Sequence, residues 1–368
     1  MIGQIAHQEI ANDLNEWYKS IKQRDKSKAT QLHQEISDRL PNMSENQTVL
    51  LYYNLIGSRY KLLMERFNES GEILSNIKKF KDLEENTDDI IQYYFYFFSG
   101  VYEFYQKNYI KAINYYKRAE IMLHKIPDEM EMAEFHYQVA VAYYRIDQHI
   151  FSINHAEKAL ESFRANSLYH EREIYSEMVL AANKLDMLNY KEAEANYLSA
   201  IKKSKSVGSK YSESLAYFNL GLCYGRMELY SKAAESFNKA LDNEDLKSGV
   251  VGIKSMFELT LVLYKDNKLD DAQIWFKKGF SRANKEGEKE YEAKFIFIDG
   301  LYNTIDTLSM EKGLEYLESQ NLWTDVSELC LDAAHYYKNK GDTAKSSRYF
   351  ERAHYARDQI LKLLEELK

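Results

Sequence analysis

The sequence predicts an all-α protein, in which an N-terminal three-helix bundle precedes a solenoid of helix pairs. A pattern recurs about every forty residues: a small residue, eleven others, a small residue, three others, an aromatic, two others and a small residue. Two prolines and 14 glycines among 368 residues favour helix almost throughout. The 31 tyrosines suit the joints between stacked repeats. Such an array is typical of a protein that binds other molecules, and less so of an enzyme with a pocket and its own cofactor.

The repeating pattern predicts about seven helix pairs, with small residues where two antiparallel helices touch and the aromatic filling the gap beside them. A degenerate copy is expected near Gly300, between the copies that start at Thr260 and Ala334. The clear copies are Gly100, Ala112, Tyr116 and Ala119; Ala181, Ala193, Tyr197 and Ala200; Gly221, Ala233, Phe237 and Ala240; Thr260, Ala272, Phe276 and Gly279; and Ala334, Ser346, Phe350 and Ala353. Ala140, Ser152, Ala156 and Ala159 form a weaker copy without the aromatic.

The N-terminal region carries apolar residues at helical spacing. It predicts helices over residues 9–25 and 28–40, with Pro41 ending the second, and a third helix from near Ser44. Residues 67–88 lose this periodicity and gain charge, which predicts a partly helical linker. The expected domains are therefore a bundle over 1–66, a linker over 67–88 and the repeats over 89–368.

Composition excludes several classes of function. The net charge of −8 argues against a broad nucleic-acid surface, and no phosphate-binding glycine motif is present. Cys223 and Cys330 are isolated and are expected to be buried free thiols, and no metal site is expected. No signal sequence or apolar run of about twenty residues occurs, so a cytoplasmic protein without membrane contact is expected.

Four motifs in this order and spacing resemble one family. LNEWY (Leu14–Tyr18) lies on the first helix and MSENQ (Met43–Gln47) opens the third; YYFYFFSGVYEF (Tyr93–Phe104) and MAEF (Met132–Phe135) follow, before repeats to the end. The chain resembles the Rap family of bacterial response-regulator aspartate phosphatases over nearly its whole length. The resemblance implies a bundle that binds a response regulator and tetratricopeptide repeats whose groove binds a short Phr-type oligopeptide.

Gln47 is the candidate catalytic residue, because it matches the family's glutamine that enters the regulator's active site. A primary amide can accept a hydrogen bond from a water and donate one to the phosphoryl group, which aligns the water for attack on an aspartyl phosphate. The resemblance implies that Mg²⁺ belongs to the regulator and that this chain needs no cofactor. Glu45, Asn46 and Leu50 are expected to contact the regulator.

The same stretch has a structural alternative. Ser44 and Gln47 match a capping box, in which Ser44 caps the third helix and Gln47 reaches back to it. The motif also departs from the family's usual MEEDQ or MEENQ, because Ser44 replaces a glutamate. Ser58 replaces a phenylalanine that packs on the partner in the family, which puts the identity of the partner in doubt.

Asn183, Asp186 and Asn219 match positions that hold the peptide in the family. An asparagine amide can pair with both backbone groups of an extended peptide, and Asp186 would pair with a basic peptide residue. Helix-end or turn roles are the alternative for all three.

Two other functions compete with a peptide-inhibited phosphatase. One is sequestration of a response regulator or transcription factor without catalysis, with release by peptide. The other, a peptide-sensing transcription factor, is disfavoured because residues 1–66 offer no basic DNA-binding helix-turn-helix.

Overall fold

The structure is a computed structural model that describes residues 5–78 and 89–365. It is a solenoid of α-helices preceded by a three-helix bundle, and the described residues contain no strand beyond one isolated bridge between Ile5 and Met43. The first four helices are α1 (His7–Lys22), α2 (Lys26–Arg39), α3 (Gln47–Leu63) and α4 (Phe67–Lys78).

The remaining helices form the repeats. They are α5 (Asp89–Tyr105), α6 (Tyr109–Leu123), α7 (Glu129–Tyr144), α8 (His149–Arg164), α9 (His170–Asp186), α10 (Tyr190–Ser206), α11 (Lys210–Arg226), α12 (Tyr230–Leu241), α13 (Glu244–Ser248), α14 (Val250–Lys265), α15 (Leu269–Glu286), α16 (Lys289–Tyr302), α17 (Thr307–Ser319), α18 (Trp323–Asn339) and α19 (Thr343–Glu365).

The three predicted N-terminal helices are present, with shifted boundaries. The second ends at Arg39, and a short 3₁₀ turn over Leu40–Asn42 follows, with Pro41 in its first turn. The third begins at Gln47 and not near Ser44, because Asn46 is its N-cap and accepts a hydrogen bond from the Val49 amide at 3.0 Å.

The predicted linker is helical over its first half. Helix α4 packs against α3 and α5, and its Leu74 and Ile77 side chains are buried. The apolar residues of α4 do have helical spacing, but the charged residues between them make that spacing hard to recognise in the sequence. Residues 79–88, the rest of the predicted linker, lie outside the described residues.

Seven helix pairs follow in the described part of the chain, as the repeat pattern predicts. In chain order they are α5/α6, α7/α8, α9/α10, α11/α12, α14/α15, α16/α17 and α18/α19. In the six pairs other than α9/α10, the two helices pack on each other. The degenerate copy near Gly300 is the α16/α17 pair. Small residues are required at the joints: a Cβ added to Gly100 would lie 2.5 Å from the Tyr116 ring, and one added to Gly221 would lie 2.6 Å from Phe237.

The last repeat differs from its pattern. Phe350, predicted to fill the gap between α18 and α19, is exposed and meets His335 edge-on. The neighbouring Tyr349 is buried instead and stacks on Tyr337. Tyr349 therefore fills the joint in place of Phe350. A pattern of residue classes cannot distinguish two adjacent aromatic residues.

The chain divides into two compact units, Met1–Val179 and Leu180–Lys368, and the division falls inside α9. The first unit contains both the predicted bundle and the first repeats. The domain boundaries at 66 and 88 remain predictions.

A buried network of charges joins helices within the first unit. Glu134 accepts hydrogen bonds at its Oε1 from Arg59 at 3.1 Å, from Arg172 at 2.7 Å and from Gln138 at 2.9 Å. All four side chains are buried. Since Glu134 belongs to the MAEF motif, this motif ties α7 to α3 and α9.

A second carboxylate on α7 extends the network to α1. Lys22 pairs with Asp128 at 2.7 Å and with Glu131 at 3.2 Å. Tyr18 and Tyr93 donate hydrogen bonds to Glu131 at 3.0 and 3.1 Å. Burial and the Glu131 charge raise the pKa of both tyrosines, so their hydroxyls stay protonated and donate.

Candidate functional site

Gln47 occupies the first position of α3, where its side chain is exposed. Among the described residues it has no hydrogen-bond partner. Asn46 caps the helix through the Val49 amide, so the cap does not use the Gln47 amide. The predicted capping box is therefore wrong: Ser44 instead accepts a hydrogen bond from the backbone N–H of His7 at 3.0 Å.

The predicted contact residues lie on the same surface around the start of α3. Glu45 is exposed, and Leu50 keeps 38% of its surface accessible. Asn46 is half-buried, and its side-chain oxygen is engaged by the cap. Hence Glu45, Gln47 and Leu50 present side chains to solvent, while Asn46 shapes the backbone that carries them.

Ser58 does not belong to this surface. Its side chain is completely buried, and its hydroxyl donates to the Leu55 carbonyl at 2.7 Å. Position 58 therefore presents no side chain to a partner, and the effect of this serine on the identity of the partner stays a prediction. The polar group is satisfied within α3, so burying it costs little.

A charged cluster in the second unit surrounds Asp186, at the C-terminal end of α9. The Arg226 guanidinium, at the end of α11, lies 3.9 Å from Asp186 and 2.6 Å from Glu328 on α18. The contact with Glu328 joins residues 102 apart in sequence. Asp186 therefore already faces one cation of its own chain, and a basic ligand group would share or replace that cation.

Asn219 and Asn183 differ in accessibility. Asn219 is half-buried and lies two helical turns before Arg226 on the same face of α11. Asn183 lies one turn before Asp186 on α9, but its side chain is completely buried. Of the two asparagines, Asn219 is therefore the better placed to contact a ligand directly, and all three peptide positions remain predictions.

Sequence reasoning missed the acidic residues that share this cluster. Glu258 on α14 is half-buried; burial and the nearby Glu328 raise its pKa to about 7, although Lys294, Lys265 and Arg226 oppose the shift. Lys294 is itself buried and pairs with Asp325 at 2.7 Å. Repeat spacing could have shown that α11, α14 and α18 are the first helices of their pairs, but not which of their charges meet.

The described residues include no group of three or more histidine, cysteine, aspartate or glutamate side chains that could hold a metal ion. Within the same residues, no helix combines the length and the apolar character needed to span a bilayer. Cys223 and Cys330 are free and buried, as predicted. Burial raises the pKa of the Cys223 thiol to about 11, which makes it a poor nucleophile at neutral pH.

Family models match two parts of the chain. Residues 4–65 match the N-terminal region of response regulator aspartate phosphatase H, and residues 172–243 match the tetratricopeptide repeat. The first match covers the surface around Gln47, and the second covers Asn183, Asp186 and Asn219.

Relatives from Bacillus subtilis (strain 168) match nearly end to end. Response regulator aspartate phosphatase I is 33% identical over 362 residues, covering 96% of this chain and 92% of that protein. Response regulator aspartate phosphatase A is 33% identical over 355 residues, covering 94% of each. Regulatory protein RapK is 31% identical over 369 residues, covering 98% of each.

Solved structures agree with these matches. A Rap protein complexed with competence and sporulation factor has a TM-score of 0.90 at 30% identity, covering 97% of this chain and 99% of that one. The apo form of RapI has a TM-score of 0.66 at 33% identity, covering 96% and 98%. The helix pairs, the matched N-terminal region and this coverage together place the chain in the Rap family of response regulator aspartate phosphatases.

Proposed function

We propose that this protein binds a phosphorylated response regulator through the surface around Gln47 and promotes hydrolysis of its aspartyl phosphate. The observation that carries the proposal is the Gln47 side chain, which is exposed at the first position of a capped helix and uncommitted among the described residues. Relatives over nearly the full length are named response regulator aspartate phosphatases, which supports this choice of substrate.

The amide of Gln47 suits this chemistry because hydrolysis of an aspartyl phosphate needs an aligned water more than a strong base. The carbonyl of Gln47 would accept a hydrogen bond from the water, and its NH₂ group would donate to a phosphoryl oxygen. Water attacks phosphorus, the bond to the aspartate carboxylate breaks, and the products are the free carboxylate and inorganic phosphate. We expect the regulator's own acidic residues to hold the Mg²⁺ that neutralises the phosphoryl charge.

Regulation by a short peptide completes the proposal. Asn219 would bind the backbone of an extended peptide and Asp186 would pair with a basic side chain, which would compete with Arg226 for the Asp186 carboxylate. Two solved relatives were determined with bound peptides, competence and sporulation factor in one and Phr* in the other. A ligand of this kind would change regulator binding only if it favours one conformation of the protein over another.

Phosphate release tests the chemistry. The receiver domains of the host's response regulators would each be phosphorylated with acetyl phosphate and incubated with a catalytic amount of the protein. Gln47→Ala should slow release by about 100-fold or more while changing regulator affinity only a few-fold. Gln31→Ala, which removes an exposed glutamine on α2, is the matched control and should behave as wild type. Wild-type rates for Gln47→Ala would refute a catalytic role for this residue.

Sequestration without catalysis is the second candidate. RapK, which is 31% identical to this chain, is called only a regulatory protein. In that case, the protein would bind a regulator or transcription factor at a one-to-one ratio and release no phosphate from it. Phosphate release that continues beyond one equivalent of protein distinguishes the phosphatase from the sequestering protein.

A further inference from the structure

We infer that Ser44 is a positioning residue: it holds the segment that presents Gln47 by clamping it to the start of α1. This inference deepens the proposed function and rests on it for the role of Gln47. The observations that support it are hydrogen bonds between two segments that lie far apart in sequence.

The segment before Gln47 is held at its upstream end by backbone hydrogen bonds. The Ile5 N–H donates to the Asn42 carbonyl at 2.9 Å, and the Ser44 N–H donates to the Ile5 carbonyl at 2.8 Å. These bonds form the isolated parallel bridge between Ile5 and Met43. At its downstream end, Asn46 fixes the segment to α3 as the N-cap. Only Ser44 and Glu45 lie between these two fixed points.

The Ser44 side chain adds a third connection. Its hydroxyl oxygen accepts from the His7 N–H at 3.0 Å and lies 3.2 Å from Nδ1 of the His7 imidazole. Helix α1 has Ala6 at its N-cap, which offers no side-chain oxygen. Ser44 therefore caps α1 from a distant segment and satisfies one of the helix's free N–H groups.

The consequence for Gln47 is positional. Gln47 follows Ser44 by three residues, so freedom at Ser44 would spread to the amide that must align a water. A displacement of about 1 Å at a catalytic group can cost about 100-fold in rate. Both His7 and Ser44 retain contact with solvent, so water can replace the lost bond and a Ser44→Ala variant should still fold.

The test compares Ser44→Ala with Ser44→Thr, which keeps the hydroxyl, and with Ser27→Ala, which removes an exposed serine on α2. With acetyl-phosphate-treated receiver domains as substrate, Ser44→Ala should lower kcat about tenfold and leave KM within about twofold. Ser44→Thr should recover most of the rate, and Ser27→Ala should match wild type. In a Gln47→Ala background, Ser44→Ala should cause no further loss, because the group that it positions is absent.

Two results would overturn the inference: an equal kcat for Ser44→Ala and wild type, or an additive loss in the Gln47→Ala background. Hydrogen exchange of residues 43–50 gives a readout that does not depend on catalysis. Exchange should be faster in Ser44→Ala and restored in Ser44→Thr, and unchanged exchange refutes the clamp. If the wild-type protein releases no phosphate from any regulator, the proposed function fails, and the exchange measurement alone decides whether Ser44 orders the segment.

Discussion

Replacing Glu134 by glutamine should destabilise the first unit strongly, although the change removes only a charge. Glutamine has nearly the same shape as glutamate, so packing around α7 should persist. What is lost is the counter-ion of two buried guanidinium groups, Arg59 and Arg172, which lie 3.1 and 2.7 Å from the Glu134 carboxylate. The side chain of Glu134 is 1% exposed, so water cannot replace the missing charge.

The magnitude follows from the contacts that remain. Breaking a buried ion pair by removing one partner costs about 3–5 kcal/mol, because the other charge stays buried. Arg172 keeps a hydrogen bond to the Lys22 carbonyl at 3.3 Å and lies 5.0 Å from the Tyr137 ring centre. Arg59 lies 5.6 Å from the centre of the Phe98 ring. These contacts offset part of the loss, so the lower end, about 3 kcal/mol, is expected.

Thermal unfolding followed by circular dichroism measures this effect. For a unit of this size, about 3 kcal/mol corresponds to a fall in Tm of roughly 6–12 °C. Hydrogen exchange by segment should rise mainly within residues 5–78 and 89–179, since the network lies there. Glu16→Gln, which removes one partner of the exposed Lys19–Glu16 pair in the same unit, is the control and should leave Tm within error of wild type. If Glu134→Gln unfolds at the same temperature as Glu16→Gln, the buried network does not stabilise the unit and the reasoning is wrong.

Three further predictions concern the peptide site and a histidine pair. Asp186→Asn should weaken binding of a basic peptide about tenfold or more, and Asn219→Ala should weaken peptides regardless of their side chains. Calorimetric titration with a synthetic basic peptide and its neutral analogue measures both effects, and wild-type affinities would remove these residues from the site. The Nδ1 atoms of His136 and His155 lie 2.9 Å apart. Burial, the His155 imidazole and Lys158 lower the pKa of His136 to about 4, and burial and Lys158 lower the pKa of His155 to about 4. Because these values lie below the ordinary 6.5, the pair's contribution to stability is complete above pH 6.5 and lost as pH falls toward 4. Tm should therefore fall more between pH 7.5 and 5 in wild type than in His155→Gln, and parallel falls would contradict this.

The repeat architecture could be predicted because its determinants are local or recur at a fixed period. Gly100 faces Tyr116, and Gly221 faces Phe237, sixteen residues later in both cases. Such contacts lie within one helix pair, so each copy shows them independently and the pattern repeats along the sequence. The pattern predicts classes of residue but does not distinguish neighbours of the same class, so it predicts Phe350 at a joint where Tyr349 is buried.

For the candidate site, the sequence pointed to single residues but not to their arrangement, and the roles of those residues stay predictions. The motif MSENQ pointed to Gln47, whose side chain is exposed in the structure. The same motif also suggested a capping box, which does not form because Asn46 caps the helix instead. Asn46 lies directly before the helix and outcompetes Ser44, two residues earlier, because a side chain at the N-cap position reaches the third N–H of the helix. Two capping candidates this close together cannot be ranked from spacing alone.

By itself, the sequence determined the helical class, the seven helix pairs and the classes of residue that fill their joints, since helical periodicity and repeat spacing are short-range properties of the chain. Only the tertiary structure decided which charges meet. Glu134 pairs with arginines 75 and 38 residues away, and Arg226 reaches Glu328 102 residues away. Such pairs depend on the packing angles between several successive helices. Small changes in these angles add up along the stack and would move the paired residues apart. The same holds for Ser44 and His7, 37 residues apart, whose hydrogen bond places the segment leading to Gln47.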